Sequence, residues 1–426
     1  MTDSRMQTSR DWQTGLRLWQ HGVVFLLACL ILISRRPDAI FHAQFYAEDG
    51  HVWFADAYNL GWWSALFRAQ DGYFQTFPRL GAALALLAPL PLAPLVLNLA
   101  ALAAEAFPVN LLLSSRSSAW GSLRFRAVLA ASFLALPNSR EMLIIVTSSQ
   151  WLLALCSFLA LASSSPAGTA DRARDLLILA LCGLTGPFCF FLLPIGAFLA
   201  WKRRERWRWM MTSVLLVTTF VQAWALMVID RYGRSHCVLG ASAALFMRVL
   251  AGQIYLSTLL GSNSLSARSS HTVFVLLVCV AVAGSALLAV CFARMELEMR
   301  LFLVLTGMLL VASLISPAAY PPPGVSRWKL LSTSQGVRYW LFPMLACAWS
   351  MLWAARSRIK GLHVTAVVLL CVMCFGVVRD WQQPALKDFH FAEAAWSFEP
   401  APPGTVVVLP ENPPGWNIRL VKHASF

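Results

Sequence analysis

The residues best suited to chemistry lie in one short stretch. Phe45-Tyr46-Ala47-Glu48-Asp49-Gly50-His51 carries two adjacent carboxylates among aromatic rings, and it continues through Trp53, Trp62 and Trp63 to Asp71-Gly72-Tyr73-Phe74. A carboxylate held at a bilayer surface can take the proton from an attacking hydroxyl or hold a divalent cation, Mg or Mn, while neighbouring rings can stack on a sugar face. The bland counterpart is a solvated loop with an interfacial aromatic belt. A second polar group, Pro137-Asn138-Ser139-Arg140-Glu141 followed by Gln150-Trp151, offers Asn138 and Glu141 as ligands for hydroxyl groups. Its plainer reading is a connecting turn in which Asn138 or Ser139 caps the next helix and Glu141 occupies its first turn. His51 is close enough in sequence to Glu48 to share a site. The external histidines, His51, His236 and His271 among them, form no pair with metal-ligand spacing.

These residues must be positioned by elements that live in lipid. Of 426 residues, 58% are hydrophobic and 13% charged, against a usual ~25% charged in a soluble domain. The net charge of +14 is therefore read loop by loop as membrane orientation, with membrane lipids and no nucleic acid as partners. Nine of the ten cysteines lie in apolar runs and only Cys237 falls in an external loop, so no disulfide framework is expected. Arg5, Arg10 and Arg17 precede an apolar run from Val23 to Ile33 that ends in Arg35-Arg36 without a small-residue cleavage site. That pattern predicts an uncleaved first helix.

Apolar runs occur at about 19–34, 80–113, 123–138, 146–163, 174–185, 187–201, 209–229, 272–293, 299–316, 340–355 and 361–379. They predict an all-α polytopic membrane protein of about eleven transmembrane helices. The run 80–113 contains Pro89, Pro91, Pro94 and Pro108 and is either one broken helix or three short ones. Glu105 within it is a costly intramembrane carboxylate that lines a cavity, snorkels or stays protonated. With a cytoplasmic N-terminus, every inside loop is basic, from Arg116/Arg124/Arg126 through Lys202-Arg203-Arg204 to Arg294/Arg300 and Arg356/Arg358/Lys360. The transmembrane domain then covers 1–379, with a first external loop at 35–79 and later ones at 230–271 and 317–339; a re-entrant segment is expected around Ala243 to Leu259. A small extracytoplasmic C-terminal segment, 380–426, carries an amphipathic piece at Phe389–Phe398. A β-hairpin is expected from Thr405–Leu409 and Asn417–Val421.

An acidic pair in the first external loop, after one outward helix and before a multi-helix bundle, resembles the GT-C glycosyltransferases. That resemblance implies a GT-C-like fold in the bacterial inner (cytoplasmic) membrane, with the active site facing the extracytoplasmic side. It also implies a polyprenyl-phosphate-linked sugar donor. The early-loop pair maps onto Glu48 and Asp49. Asp49 is favoured as general base for the acceptor hydroxyl, with Glu48 orienting it or binding acceptor or metal. A lipid phosphate needs cations at the outer surface, where Arg79, Arg327, Lys329 and Arg338 fall near helix ends. Arg338 is preferred, because Gly336-Val337-Arg338-Tyr339-Trp340-Leu341-Phe342-Pro343 resembles the Arg-Tyr-containing entry to a late helix in some GT-C members and a helix start adds backbone donors. Its plainer role is an interfacial anchor.

The expected activity is inverting transfer of one sugar to an extracytoplasmic glycan or lipid acceptor. Asp49 and Glu48 are its catalytic residues, and Arg79, Asn138, Glu141, Arg338, Tyr339, His51, Asp71 and Tyr73 bind substrate. Two other classes compete. An O-antigen or polysaccharide polymerase or ligase would rely on Arg231, Arg234, His236 and Arg248 in the later loop. A lipid-glycan flippase or transporter would need charges inside the bundle, where only Glu105 stands out.

Overall fold

A computed structural model describes residues 16–229, 237–262, 265–268, 270–319, 321–333 and 336–423. The chain is mostly helical. Its principal helices are α1 (Leu18–Arg35), α2 (Ala55–Leu60), α3 (Trp62–Leu66), α4 (Thr76–Ala85), α5 (Ala93–Leu113), α6 (Leu123–Leu134), α7 (Ser149–Ala162) and α8 (Thr169–Gly183). They continue with α9 (Cys189–Arg203), α10 (Arg206–Trp224), α11 (Ala243–Arg248), α12 (His271–Arg294), α13 (Leu297–Ile315), α14 (Leu341–Ala354), α15 (Lys360–Arg379) and α16 (Phe391–Phe398).

Among the described residues, seven helical stretches are long and apolar enough to cross a membrane: Leu18–Arg35, Leu90–Leu113, Arg206–Ile229, Ala243–Leu260, His271–Arg294, Leu297–Ile315 and Lys360–Arg379. This is a multi-pass membrane protein. Other expected spans are shorter, α7 and α14 having 14 residues each, and burial explains the difference. Every residue of α7 except Gln150 is buried, as is α14 from Leu341 to Met351. Both are sheathed by protein, so they need not match the lipid thickness. Outer helices meet lipid directly, and in the apolar stretch of α12 only 11% of residues are buried.

The proline-rich run 80–113 divides into two packed helices. α4 ends before the turn at Pro89, a 3₁₀ turn covers Leu90–Leu92, and α5 starts with Pro94 in its first turn, where a missing N–H costs nothing. Residues 243–260, expected to be re-entrant, form a continuous 18-residue helix beginning with α11. Arg248 lies over Phe274 in the first turns of α12, and Ser262 donates its backbone N–H to Asp380 just after α15.

At the C-terminus, β1 (Val406–Glu411) and β2 (Trp416–Val421) pair antiparallel from Val406↔Val421 to Glu411↔Trp416. This hairpin and α16 pack on the first loop. Ala47 donates to the Asn412 carbonyl at 2.6 Å, and Phe45 meets Phe391 edge-on at 5.0 Å.

Candidate active site

The first loop is anchored from below by charge. Arg35 and Arg36 end α1 almost wholly buried. Arg35 donates to the Leu134 and Leu136 carbonyls and to Ser139 Oγ at 2.6, 3.0 and 3.0 Å, and Arg36 donates to the Leu143 carbonyl at 2.8 Å. Glu105 accepts from the Ile144 N–H at 2.9 Å. These bonds hold the loop 134–148 against the first loop, giving each buried guanidinium at least one acceptor. Asn138 is buried there with φ +51, and its N–H donates to Asp380 at 3.2 Å. It shapes the turn and lies away from the cavity.

The same packing sets the acidic pair. Asp49 is 1% exposed and its Oδ1 accepts from Thr147 N–H at 3.0 Å and from Thr147 Oγ at 2.6 Å. Thr147 Oγ in turn accepts from the Trp53 indole at 2.8 Å. Burial pushes the Asp49 carboxyl up to about 7, against those two hydrogen bonds. Glu48 instead points into a cavity of about 290 Å³, and its Oε2 is buried without a hydrogen-bond partner.

Polar and apolar side chains both line that cavity. Glu48, Gln70, Asp71, Tyr73, Gln75, Thr147, Gln150, Arg338 and Tyr339 are among the polar ones; Phe188, Phe190, Phe191, Leu226, Leu309 and Ala312 are among the apolar ones. Asp71, with φ +52, sits in a turn closed by the Gln70 and Tyr73 backbones. Gln222 of α10 clamps the following residue, accepting from the Phe74 N–H at 2.9 Å and donating to its carbonyl at 3.1 Å. Arg338 enters on the 3₁₀ turn Val337–Trp340 that leads into α14. It donates to the Ala318 carbonyl at 3.0 Å, as the Tyr339 hydroxyl does at 3.1 Å. Burial alone would lower the Arg338 pKa, but Tyr339, Glu48 and Glu141 outweigh it and hold the guanidinium charged.

Five of the ten expected site residues therefore line one cavity: Glu48, Asp71, Tyr73, Arg338 and Tyr339. The others stand behind it. Arg79 is buried in an ion pair with Asp56 at 3.1 Å, its guanidinium 5.0 Å from the Trp53 ring centre. Glu141 accepts from the Gly336 N–H at 3.1 Å, tying its loop to the turn that presents Arg338. His51 pairs with Glu411 of β1 at 3.0 Å, and although burial lowers its pKa, Glu411 raises it further and leaves the net shift upward. Arg231, Arg234 and His236 lie outside the described residues.

Sequence reasoning missed Thr147, Gln75 and Glu411. The first two look like ordinary helix-start polar residues, and Glu411 sits in the C-terminal hairpin with no local signal. Among the described residues no group of three or more His, Cys, Asp or Glu is placed to hold a metal ion. Asp49 commits Oδ1 to Thr147.

No family model matches the chain, and no curated protein matches it. Among solved structures it is similar to the arabinofuranosyltransferase AftD from Mycobacteria, at 17% identity with a TM-score of 0.40. The match covers 87% of this chain and 27% of that one, so this chain spans about a quarter of that protein's length.

Proposed function

We propose that this chain is a membrane glycosyltransferase of the GT-C type. It moves one sugar from a polyprenyl-phosphate donor to an extracytoplasmic glycan or lipid acceptor, with inversion. One observation carries the reading: the Glu48 carboxylate, with an unpartnered buried oxygen, shares a cavity with the Arg338 guanidinium, and much of that cavity's lining is apolar. A base and a phosphate-binding cation among apolar side chains suit a lipid-phosphate sugar donor.

In this reading Glu48 takes the proton from the acceptor hydroxyl, whose oxygen attacks the anomeric carbon. The bond from that carbon to the phosphate oxygen breaks, and its electron pair leaves with the polyprenyl phosphate, whose charge Arg338 balances. Asp71, Tyr73 and Gln150 face the space a sugar would fill. Asp49 has a pKa near neutrality, which a general base needs, but geometry ranks first. Its carboxylate lies behind Thr147, so it positions the loop and Glu48 carries the base role first expected of Asp49.

The test is transfer of radiolabelled sugar from polyprenyl-phosphate donors by membranes containing the chain at matched expression. Glu48→Gln is expected to lose about 10²–10⁴-fold in rate. Asp49→Asn, which keeps an acceptor oxygen for Thr147, is expected to lose about tenfold or less. Transfer that survives Glu48→Gln while failing in Asp49→Asn would return the base role to Asp49, and transfer that survives both would remove the acidic pair.

A further inference from the structure

A second cavity, of about 500 Å³, opens between the α12–α13 and α14–α15 connections. The two cavities sit at opposite ends of the same two helices. Ser316 after α13 and Tyr339 before α14 line the first, whereas Glu296 before α13 and Trp353 near the end of α14 line the second. At 1.5 Å per residue, the 19 residues of α13 separate them by about 28 Å, the depth of a hydrocarbon core.

Four arginines converge on this second cavity, Arg294, Arg300, Arg356 and Arg358, against one carboxylate, Glu296. Glu296 accepts from the Trp353 indole at 2.8 Å, and none of the four arginines makes an ion pair among the described residues. Arg300 donates to the Ala293 carbonyl at 3.1 Å while its Nε is buried with no partner. The Arg356 guanidinium is held 4.1 Å from the Phe125 ring centre. Three arginines elsewhere at this end are neutralised: Arg116 by Asp175 at 2.5 Å, Arg208 by Glu205 at 3.3 Å and Arg203 by Glu298. Membrane orientation asks only that these loops be basic. It does not ask that four guanidinium groups without ion pairs gather around one open hollow, where a bound anion would offset the repulsion that water leaves unscreened. Ile359 in the cavity's lining is exposed and apolar, as is Phe292, the sequence neighbour of the lining residue Ala293, an edge suited to acyl chains.

We propose that this four-arginine cavity is a phosphate site that takes the headgroup of an anionic phospholipid from the leaflet opposite the candidate active site. The chemistry recognised is a phosphate anion, which a soluble phosphate shares, and the apolar edge favours the lipid. The assignment is independent of the glycosyltransferase reading.

The experiment titrates the full chain in neutral detergent with phosphatidylglycerol, and separately with inorganic pyrophosphate, and counts bound adducts by native mass spectrometry. Arg300→Gln/Arg356→Gln is expected to weaken phosphatidylglycerol binding about thirtyfold, at roughly one kcal/mol per guanidinium. Lys202→Gln/Arg206→Gln removes the same charge from the same end and is expected to bind as the unsubstituted chain does. Equal losses in both variants, or none in the first, would overturn the site. Arginine-dependent binding of pyrophosphate without phosphatidylglycerol would overturn the lipid assignment. Arg358→Glu, at an exposed position, provides a variant that spares folding and is expected to show a loss at least as large.

Discussion

Two arginines expected on the same ligand come to rest in different surroundings. Arg79 is 2% exposed, paired with Asp56 and laid on Trp53, so its charge is already spent inside the protein. Arg338 donates to a backbone carbonyl and lies over the Tyr339 ring, and it lines the cavity together with Glu48. Arg79→Gln is therefore expected to cost stability, about 2 kcal/mol, because Asp56 keeps only Arg68 as a partner. Its thermal midpoint in detergent should fall while the donor KM of the folded fraction stays put. Arg338→Gln should melt near the unsubstituted chain and raise donor KM about 10–100-fold. A donor KM raised equally by both substitutions would show that both arginines meet the donor. The chemistry at each position was legible from residue type. Which carboxylate and which arginine would face the cavity was not, because neighbours such as Glu48 and Asp49 point to different sides of a turn whose direction is set by Thr147.

The C-terminal hairpin is bound to the acidic loop by close fit as well as by charge. A Cβ on Gly50 would come within 2.8 Å of Ile418 Cγ1, closer still to its Cδ1, and would collide with the Glu411 carboxylate. Trp416 meets the His51 ring edge-on at 4.7 Å, and Asn59 bonds the β2 backbone at Arg419 and Val421. Gly50→Ala is thus expected to push the hairpin off its seat, at about 1–3 kcal/mol for overpacking. Limited proteolysis should then cut the Pro-rich linker at 399–404 faster, and transfer should fall because Glu48 and Asp49 lose their backing. An unchanged cleavage rate would mean that the hairpin does not depend on this seat. The helix and the strand pair were legible as elements, since α16 and both strands follow local periodicity. Their docking was not, because the contact joins segments from the two ends of the chain.

Across the whole molecule, charge and site separate to opposite ends of the bundle. Lys202, Arg203, Arg204, Arg206, Arg294, Arg300, Arg356 and Arg358 gather where α9, α12 and α14 end; the acidic pair, Asp71 and Arg338 gather at the other. The positive-inside rule predicts that the first end faces the cytoplasm. A membrane-impermeant maleimide should therefore label Gly404→Cys in intact cells and Arg206→Cys only after permeabilisation, each scored against the unsubstituted chain. The reverse pattern would turn the candidate site inward. The sequence by itself determined that the chain lives in lipid, where nearly every helix lies, and which residues carry usable chemistry, because hydropathy, helical period and side-chain type are properties of local stretches. Only the tertiary structure decided that α7 and α14 are sheathed by protein, that Glu48 shares a cavity with Arg338, and that Glu411 reaches back to His51. Convergence depends on how distant elements pack, and local spacing along the chain carries no record of it.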